Sequence, residues 1–242
     1  ILELSSYQIE LAKCLAPNFA AFINFSSDHL QRHGGLGGYF YAKARLFLEN
    51  LTDVSVINID TAEGLFLFQR LNTVENKMIA ISSKLNIKNY LWAVGLKGSF
   101  ITEWKKGRQV YSFDLRNLGD SFLSLWESVL TVYALARSFG MAPKSILTKC
   151  SGFVPLAHRN QWVDEIKGVA FINDSKATNV DATIHALKTF KNVHLILGGR
   201  AKEDNFCQLQ DSMKNISRIY LIGEAASLIA NKLEGHEIEQ FD

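Results

Sequence analysis

The chain has 242 residues, 48% hydrophobic and 21% charged, with a formal net charge of +2, an ordinary balance for one large or two modest globular domains with a sizeable core. Its lysines and arginines are scattered, so no basic patch points to nucleic acid. No apolar run reaches the roughly 18 residues of a transmembrane helix and no signal peptide opens the chain, so neither partner class, nucleic acid or membrane, is expected.

Cys14, Cys150 and Cys207 are widely spaced and odd in number, which predicts no closed disulfide set and fits a reducing, cytoplasmic setting. All three read as small buried apolar residues, and no Cys/His spacing suggests zinc. Ile1 rather than Met begins the chain, Ile1-Leu2-Glu3-Leu4 reads as the end of a strand, and Glu237–Asp242 reads as a strand with nothing after it. These ends predict a segment of a longer protein.

Short apolar runs alternate with amphipathic stretches, the pattern of an α/β protein. Strands are predicted at Phe19–Phe25, Val54–Ile59 and Lys77–Ile81, and helices at Ser6–Leu15, Gly38–Glu49 and Ala62–Leu71, with Ser5 and Ser6 as N-cap candidates. Leu91–Val94, Phe100–Trp104 and Gln109–Phe113, turning at Lys106-Gly107-Arg108, predict a small appended antiparallel sheet. A helix over Phe122–Phe139 is stopped by Gly140 and Pro143. From Pro155 a second unit begins: a hairpin of Gln161–Ile166 and Val169–Asn173 around Lys167-Gly168, then helix Val180–Phe190, strand Val193–Leu197, helix Phe206–Lys214, strand Arg218–Ile222, helix Ala225–Leu233 and the terminal strand. That alternation implies a parallel, Rossmann-like sheet.

Four polar patterns sit where a strand meets a loop, the edge at which open α/β sheets bind ligands. In Glu3-Leu4-Ser5-Ser6-Tyr7-Gln8, a carboxylate beside helix-capping hydroxyls can hold a metal next to a phosphate, and an ordinary capped strand end explains it equally well. In Asn24–Leu30, His29 can ligate a metal while Asp28 orients its ring, although a plain loop histidine accounts for it too. His33 reads as a surface residue. Lys43, in Tyr39-Phe40-Tyr41-Ala42-Lys43, lies in an apolar helix face, where most lysines snorkel to water. His158-Arg159-Asn160 and the run Asn173-Asp174-Ser175-Lys176-Ala177-Thr178-Asn179 are unusually polar for a mere turn, and the functional reading is favoured over the structural one: Asp174 can accept from a ribose hydroxyl and Lys176 can face developing negative charge. Gly198-Gly199-Arg200-Ala201-Lys202 lets a ligand approach the backbone, or makes a plain tight turn.

Taken in order and spacing, the Glu3–Gln8 run, Asp28-His29, Tyr39-x-x-x-Lys43, Pro155–Arg159, Asn173–Asn179 and Gly198-Gly199-x-x-Lys202 resemble the Mur ligases along essentially the whole chain, and the seven-residue run resembles the branch that adds D-glutamate. The resemblance implies a central ATP-binding α/β domain with a small antiparallel sheet over residues 1–155, then part of a Rossmann-like amino-acid-binding domain over residues 156–242. It implies an ATP-dependent ligase that adds D-glutamate to UDP-N-acetylmuramoyl-L-alanine through an acyl phosphate, for peptidoglycan synthesis, and a monomeric full-length protein. Magnesium ligation falls to Glu3, His29 and a carbamate on Lys43, with two ions. ATP contacts fall to Arg159, Asp174 and Ser128, and substrate contacts to Ser5, Thr178 and Lys202. Catalytic roles fall to Lys43, Lys176 and His29. No GxxxxGK[ST] phosphate loop occurs in these residues, so the segment by itself is expected to be inactive.

The chain departs from the family where an asparagine meets the adenine: it reads Ser124-Leu125-Trp126-Glu127-Ser128. Ser128 replaces one hydrogen bond of that amide, not two. Two rival readings remain open: another ligase of the superfamily, such as folylpolyglutamate synthase, and a nucleotide-binding scaffold that has lost turnover.

Overall fold

The computed structural model describes every residue except 27–29, 50–51, 72–76, 85, 120–121, 123–124, 155, 188–189, 202–204, 234 and 242. The expectations placed on Asp28, His29, Ser124, Pro155 and Lys202 therefore lie outside the described residues. The chain folds as two compact units, Ile1–Phe153 and Val154–Asp242.

The first unit is organised by strands too apolar to face water. Val54–Asn58 (β2) is buried at all five positions, which requires cover on both faces. It lies in a six-stranded sheet ordered β1 (Phe19–Phe22), β2, β3 (Lys77–Ser82), β4 (Trp92–Lys97), β5 (Phe100–Lys105) and β6 (Arg108–Asp114). The first four strands are parallel and the last two antiparallel. The antiparallel segment is thus continuous with the parallel strands, through the register Ala80↔Ala93.

Alternation along the strands sorts the core into two layers. Val54, Val56, Ile79 and Ile81 pack with Leu130 and Tyr133 of α5 (Trp126–Ser138) and Ile146 and Leu147 of α6 (Pro143–Cys150). Ile57, Ala80 and Ala93 face the other way, toward α1 (Ser6–Leu11), α3 (Leu36–Leu48) and α4 (Ala62–Leu71). Each fully buried Ile or Leu contributes about 1.5–3 kcal/mol through the area it removes from water.

Helix ends follow local chemistry. Ser5 and Gln8 form a capping box on α1, which stops at Leu11, short of the predicted Leu15. A four-residue helix α2 (Leu30–His33) precedes α3. Gly140, at φ +85°, closes α5 with Met141 N–H bonding back to the Ala136 carbonyl at 3.1 Å. Pro143, read as part of the stop, instead opens α6 at its first turn, where a missing N–H costs nothing.

In the second unit, β7 (Gln161–Ile166) and β8 (Val169–Asn173) form the predicted hairpin, with Lys167 and Gly168 both at positive φ. A separate parallel sheet has the order β11 (Ile238–Phe241), β10 (Ile216–Ile222), β9 (Val193–Gly198). It is covered by α7 (Val180–Leu187), α8 (Ala226–Lys232) and a 3₁₀ segment over Phe206–Asn215. That segment was expected to be an α-helix; Cys207, Asp211, Ser212 and Asn215 all weaken helix propensity.

The expectation that all three cysteines are buried is corrected: Cys14 and Cys207 are exposed, and only Cys150 is partly covered. Cys14 falls in the turn after α1, and Cys207 opens the 3₁₀ segment, so neither meets a core face. Burial pushes the Cys150 thiol above its ordinary value.

Candidate functional site

Three parallel strands of the first unit end in polar residues that tie their loops together. Asn58, 1% exposed at the end of β2, donates its amide to the Ile23 carbonyl beyond β1 at 2.8 Å and to Glu127 Oε1 at 3.4 Å. Its Oδ1 accepts from Asp60 N–H at 3.1 Å. Asn24 donates to the other Glu127 oxygen at 3.3 Å. Asp60 in turn accepts from the Ser82 hydroxyl, from the Ser83 N–H at 2.8 Å and from the Ser83 hydroxyl at 2.9 Å, at the end of β3. Sequence reasoning passed over Asn58, Asp60 and Glu127. Asn58 and Asp60-Thr61, on either side of buried Ile59, sit where a buried strand meets its loop, the same position as the four patterns it did select.

The Glu3–Gln8 pattern resolves into separate jobs. Ser5 Oγ accepts from Gln8 N–H at 3.3 Å as the α1 cap, and Glu3 is exposed just ahead of it. Ser6 is buried, and its hydroxyl lies 3.0 Å from His33 Nε2. His33 is therefore not a surface residue, as its sequence context suggested: its side chain is 3% exposed. The cause is tertiary, since α1 and α3 close over it, with the Tyr7 and Tyr39 ring centroids 5.6 and 5.5 Å away.

Lys43 is half-buried on α3, with Nζ 4.9 Å from the centroid of the Tyr39 ring, a cation–π contact. The structure thus joins the Tyr39/Lys43 motif to the Ser5-Ser6 motif through His33. Among the described residues, no cluster of three His, Cys, Asp or Glu side chains is placed to hold a metal. Ser128 is exposed on the first turn of α5, and the neighbouring Glu127 is the residue that faces the strand ends.

In the second unit the two halves of the fourth pattern meet. The β7–β8 register sets Gln161 opposite Asn173, so the loops at that end of the hairpin lie side by side. Lys176 N–H donates to the His158 carbonyl at 2.9 Å, Asn160 N–H donates to Asp174 Oδ1 at 2.9 Å, and the Asn173 amide lies 3.0 Å from His158 Nδ1. His158 and Asn160 take positive φ on either side of Arg159, which is exposed. Lys176 and Thr178 are exposed at the loop tip. Asn179 Oδ1 accepts from Ala182 N–H at 2.8 Å at the start of α7. One Asp174 oxygen is thus spent on the backbone.

At the end of β9, a side chain at Gly198 would collide with the Ile222 carbonyl, and Gly199 N–H donates to that carbonyl at 3.0 Å. The glycine pair therefore serves the β9–β10 contact, as a tight turn.

Two family descriptions match this chain: the Mur ligase middle domain over residues 1–120 and the Mur ligase glutamate ligase domain over residues 158–242. A UDP-N-acetylmuramoylalanine–D-glutamate ligase of Cereibacter sphaeroides is 42% identical over 243 residues, covering 98% of this chain and 52% of that protein. The chain thus spans about half the length of the curated relatives it matches. Among solved structures, the UDP-N-acetylmuramate–alanine ligase of Thermotoga maritima aligns with a TM-score of 0.66 at 17% identity, covering 98% of this chain and 53% of that one. A pseudomurein peptide ligase of Methanothermus fervidus aligns with a TM-score of 0.68 at 11% identity, covering 98% and 55%. At those identities the structural likeness speaks for the fold.

Proposed function

This chain belongs to the Mur ligase family, and on that premise we propose that the protein carrying it is an ATP-dependent ligase that joins D-glutamate to UDP-N-acetylmuramoyl-L-alanine in peptidoglycan synthesis. The observation that carries the reading is the Asn173–Asn179 loop. It is pinned to His158–Asn160 by the Lys176 N–H on the His158 carbonyl and the Asn160 N–H on Asp174 Oδ1, with Lys176, Thr178 and Arg159 left exposed around it.

The reaction has two stages. The γ-phosphoryl group of ATP passes to the alanyl carboxylate, and the D-glutamate amine then displaces phosphate from the acyl phosphate to form the amide. Both stages place negative charge on oxygens, so catalysis rests on positioning and on fixed positive charge. Lys176 supplies such a charge, Arg159 and Asp174 take the nucleotide, and Thr178 and Lys202 orient the incoming amino acid. Ser5 presents its hydroxyl to the acceptor at the mouth of α1. Ser128, exposed on the first turn of α5, takes one hydrogen bond to the nucleotide, while Glu127 beside it stays tied to the strand ends.

The donor set suits magnesium: the Glu3 carboxylate, the His29 imidazole and, once carbamylated, the Lys43 side chain, offering mostly hard oxygen ligands. Magnesium, with two ions in the site, would supply charge neutralisation on the transferred phosphoryl group. The Tyr39 ring face beside Lys43 shields one side of the amine from water.

The test is phosphate release by the protein carrying this sequence, given magnesium–ATP and UDP-N-acetylmuramoyl-L-alanine. Release should require D-glutamate. Equal release with L-glutamate, or with a folate acceptor, would reject the reading, and no release with any acceptor would favour a scaffold that has lost turnover.

A further inference from the structure

We propose that His33 is a positioning residue, which holds the first turn of α1, with Glu3 and Ser5 at its mouth, in register with Tyr39 and Lys43 on α3. The inference rests on the ligase reading above for its catalytic consequence, but its structural content stands on contacts of this chain alone.

The placement of His33 is constructed by its neighbours. Gly34 and Gly35 follow it at φ +68° and +116°, a reversal that side-chain-bearing residues rarely adopt. Gly35 N–H returns to the Leu30 carbonyl at 2.8 Å, closing α2. A Cβ at Gly38 would strike the His33 carbonyl, so the first turn of α3 approaches the His33 backbone only because that residue is glycine. Three glycines thus bring one histidine into the cleft between α1 and α3.

Within the cleft, each side of the ring has a partner. Nε2 lies 3.0 Å from Ser6 Oγ, at the first position of α1. Nδ1 lies 4.0 Å from Glu10 Oε2, one turn further along α1, an oxygen that is itself ion-paired to Arg32 Nη2 at 3.1 Å. Nε2 and the Ser6 hydroxyl can each donate or accept, so this hydrogen bond forms with either ring tautomer. Tyr7 meets the ring edge-on and Tyr39 lies against it at 38°. The other side of this assembly is Lys43, whose Nζ stands over the same Tyr39 ring. A single contact chain therefore runs from Lys43 through Tyr39 and His33 to Ser6.

The chain matters because α1 and α3 each carry groups the proposed chemistry needs. Glu3 and Ser5 precede α1, which is only six residues long and has little stiffness of its own. Lys43 sits in the middle of the thirteen-residue α3. A shift of about 1 Å between such groups is enough to cost on the order of a hundredfold in rate. His33 touches neither substrate nor reacting atoms in this account; it acts through Ser6 and Tyr39.

The experiment uses the protein carrying this sequence as wild type, Ser6→Ala, His33→Phe, His33→Gln and the Ser6→Ala/His33→Phe double variant. Phe keeps the ring contacts and removes the hydrogen bond; Gln places an amide near the Nε2 position. His33→Phe should lower kcat about tenfold, with the KM for ATP changed less than twofold. His33→Gln should recover to within about threefold of wild type, and the double variant should be no worse than His33→Phe. The proposal is overturned if His33→Phe melts earlier but the folded enzyme keeps wild-type kcat, or if Gln fails as badly as Phe. Amide exchange gives an arm that needs no turnover. Ser6→Ala and His33→Phe should both speed exchange in the first turn of α1 and in Tyr39–Lys43 together, and a change confined to one helix would disprove the coupling. Should wild type release no phosphate with D-glutamate, the ligase reading fails, while the exchange arm still decides the positioning claim.

Discussion

Arg137→Leu should destabilise the first unit by about 3 kcal/mol, because it breaks a buried ion pair on one side only. The partner is Glu103 on β5, whose side chain is 0% exposed. Glu103 accepts from Arg137 Nε at 2.8 Å, the Tyr133 hydroxyl at 2.9 Å and Trp92 Nε1 at 3.0 Å, with Lys105 Nζ at 3.6 Å. Removing one partner of a buried pair typically costs about 3–5 kcal/mol, and the donors that remain place this case at the low end. Burial alone would raise the Glu103 carboxyl, but the Arg137 and Tyr133 hydrogen bonds and the charges of Arg137 and Lys105 outweigh it and hold it below its ordinary 4.5. A carboxyl depressed on folding contributes stability that is full above 4.5 and is lost as pH falls through the folded value. Wild type should therefore lose stability on acidification below about pH 4.5, and Glu103→Gln should flatten that limb while costing about 1–2 kcal/mol at neutral pH. Urea unfolding followed by tryptophan fluorescence measures both, since Trp92 is itself a Glu103 ligand. An Arg137→Leu variant within about 1 kcal/mol of wild type would refute the buried-pair assignment.

Lys43→Ala should abolish most ligase activity, and bicarbonate or a short carboxylic acid should partly restore it; full activity without additives would exclude a carbamate role. Lys176→Ala should cut kcat by about 10²–10³ with little change in melting temperature, because the residue is exposed. A collapse in melting temperature with normal activity in the folded fraction would mark it as structural. Asn58→Asp should cost about 2–4 kcal/mol by setting a second carboxylate against Glu127 and the Ile23 carbonyl, and adding Glu127→Gln should recover part of the loss. The 242 residues by themselves should show no tight isotherm with magnesium–ATP, because the sequence holds no glycine-rich phosphate loop; a clean micromolar one-site isotherm would contradict this.

What the sequence made legible was governed by short-range rules. The β7–β8 hairpin is announced by Lys167-Gly168, because a two-residue turn of that hand needs positive φ at both positions. The α1 cap is announced by Ser5 and Gln8 at capping-box spacing. The burial of β2 follows from Val54, Val56 and Ile57, which put an apolar side chain on both faces of the strand. His33 was illegible for the opposite reason. Nothing local distinguishes a buried histidine from an exposed one, and its burial depends on α1, twenty-seven residues earlier, closing over it. The start of α5 was similarly hidden, since the predicted Phe122 start gave no phase by which to choose Glu127 over Ser128.

That choice bears on how the first unit prepares its edge. Glu127 stands in the first turn of α5, where the helix dipole favours a carboxylate, and its two oxygens receive the amides of Asn24 and Asn58. Asp60 is likewise saturated, by donors from Ser82 and Ser83. Carboxylates committed in this way are poor candidates for moving charge onto a substrate, because every displaced donor would have to be satisfied elsewhere. Glu3 and Lys43 of the same unit differ, since among the described residues their side chains have no hydrogen-bond partner. The division is between polar groups spent on fixing strand ends and polar groups left without such ties. Phosphoryl transfer draws its rate from geometry set before the substrate arrives. Rigid ties from Asn24, Asn58 and Asp60 would therefore serve the proposed reaction without any of the three touching it.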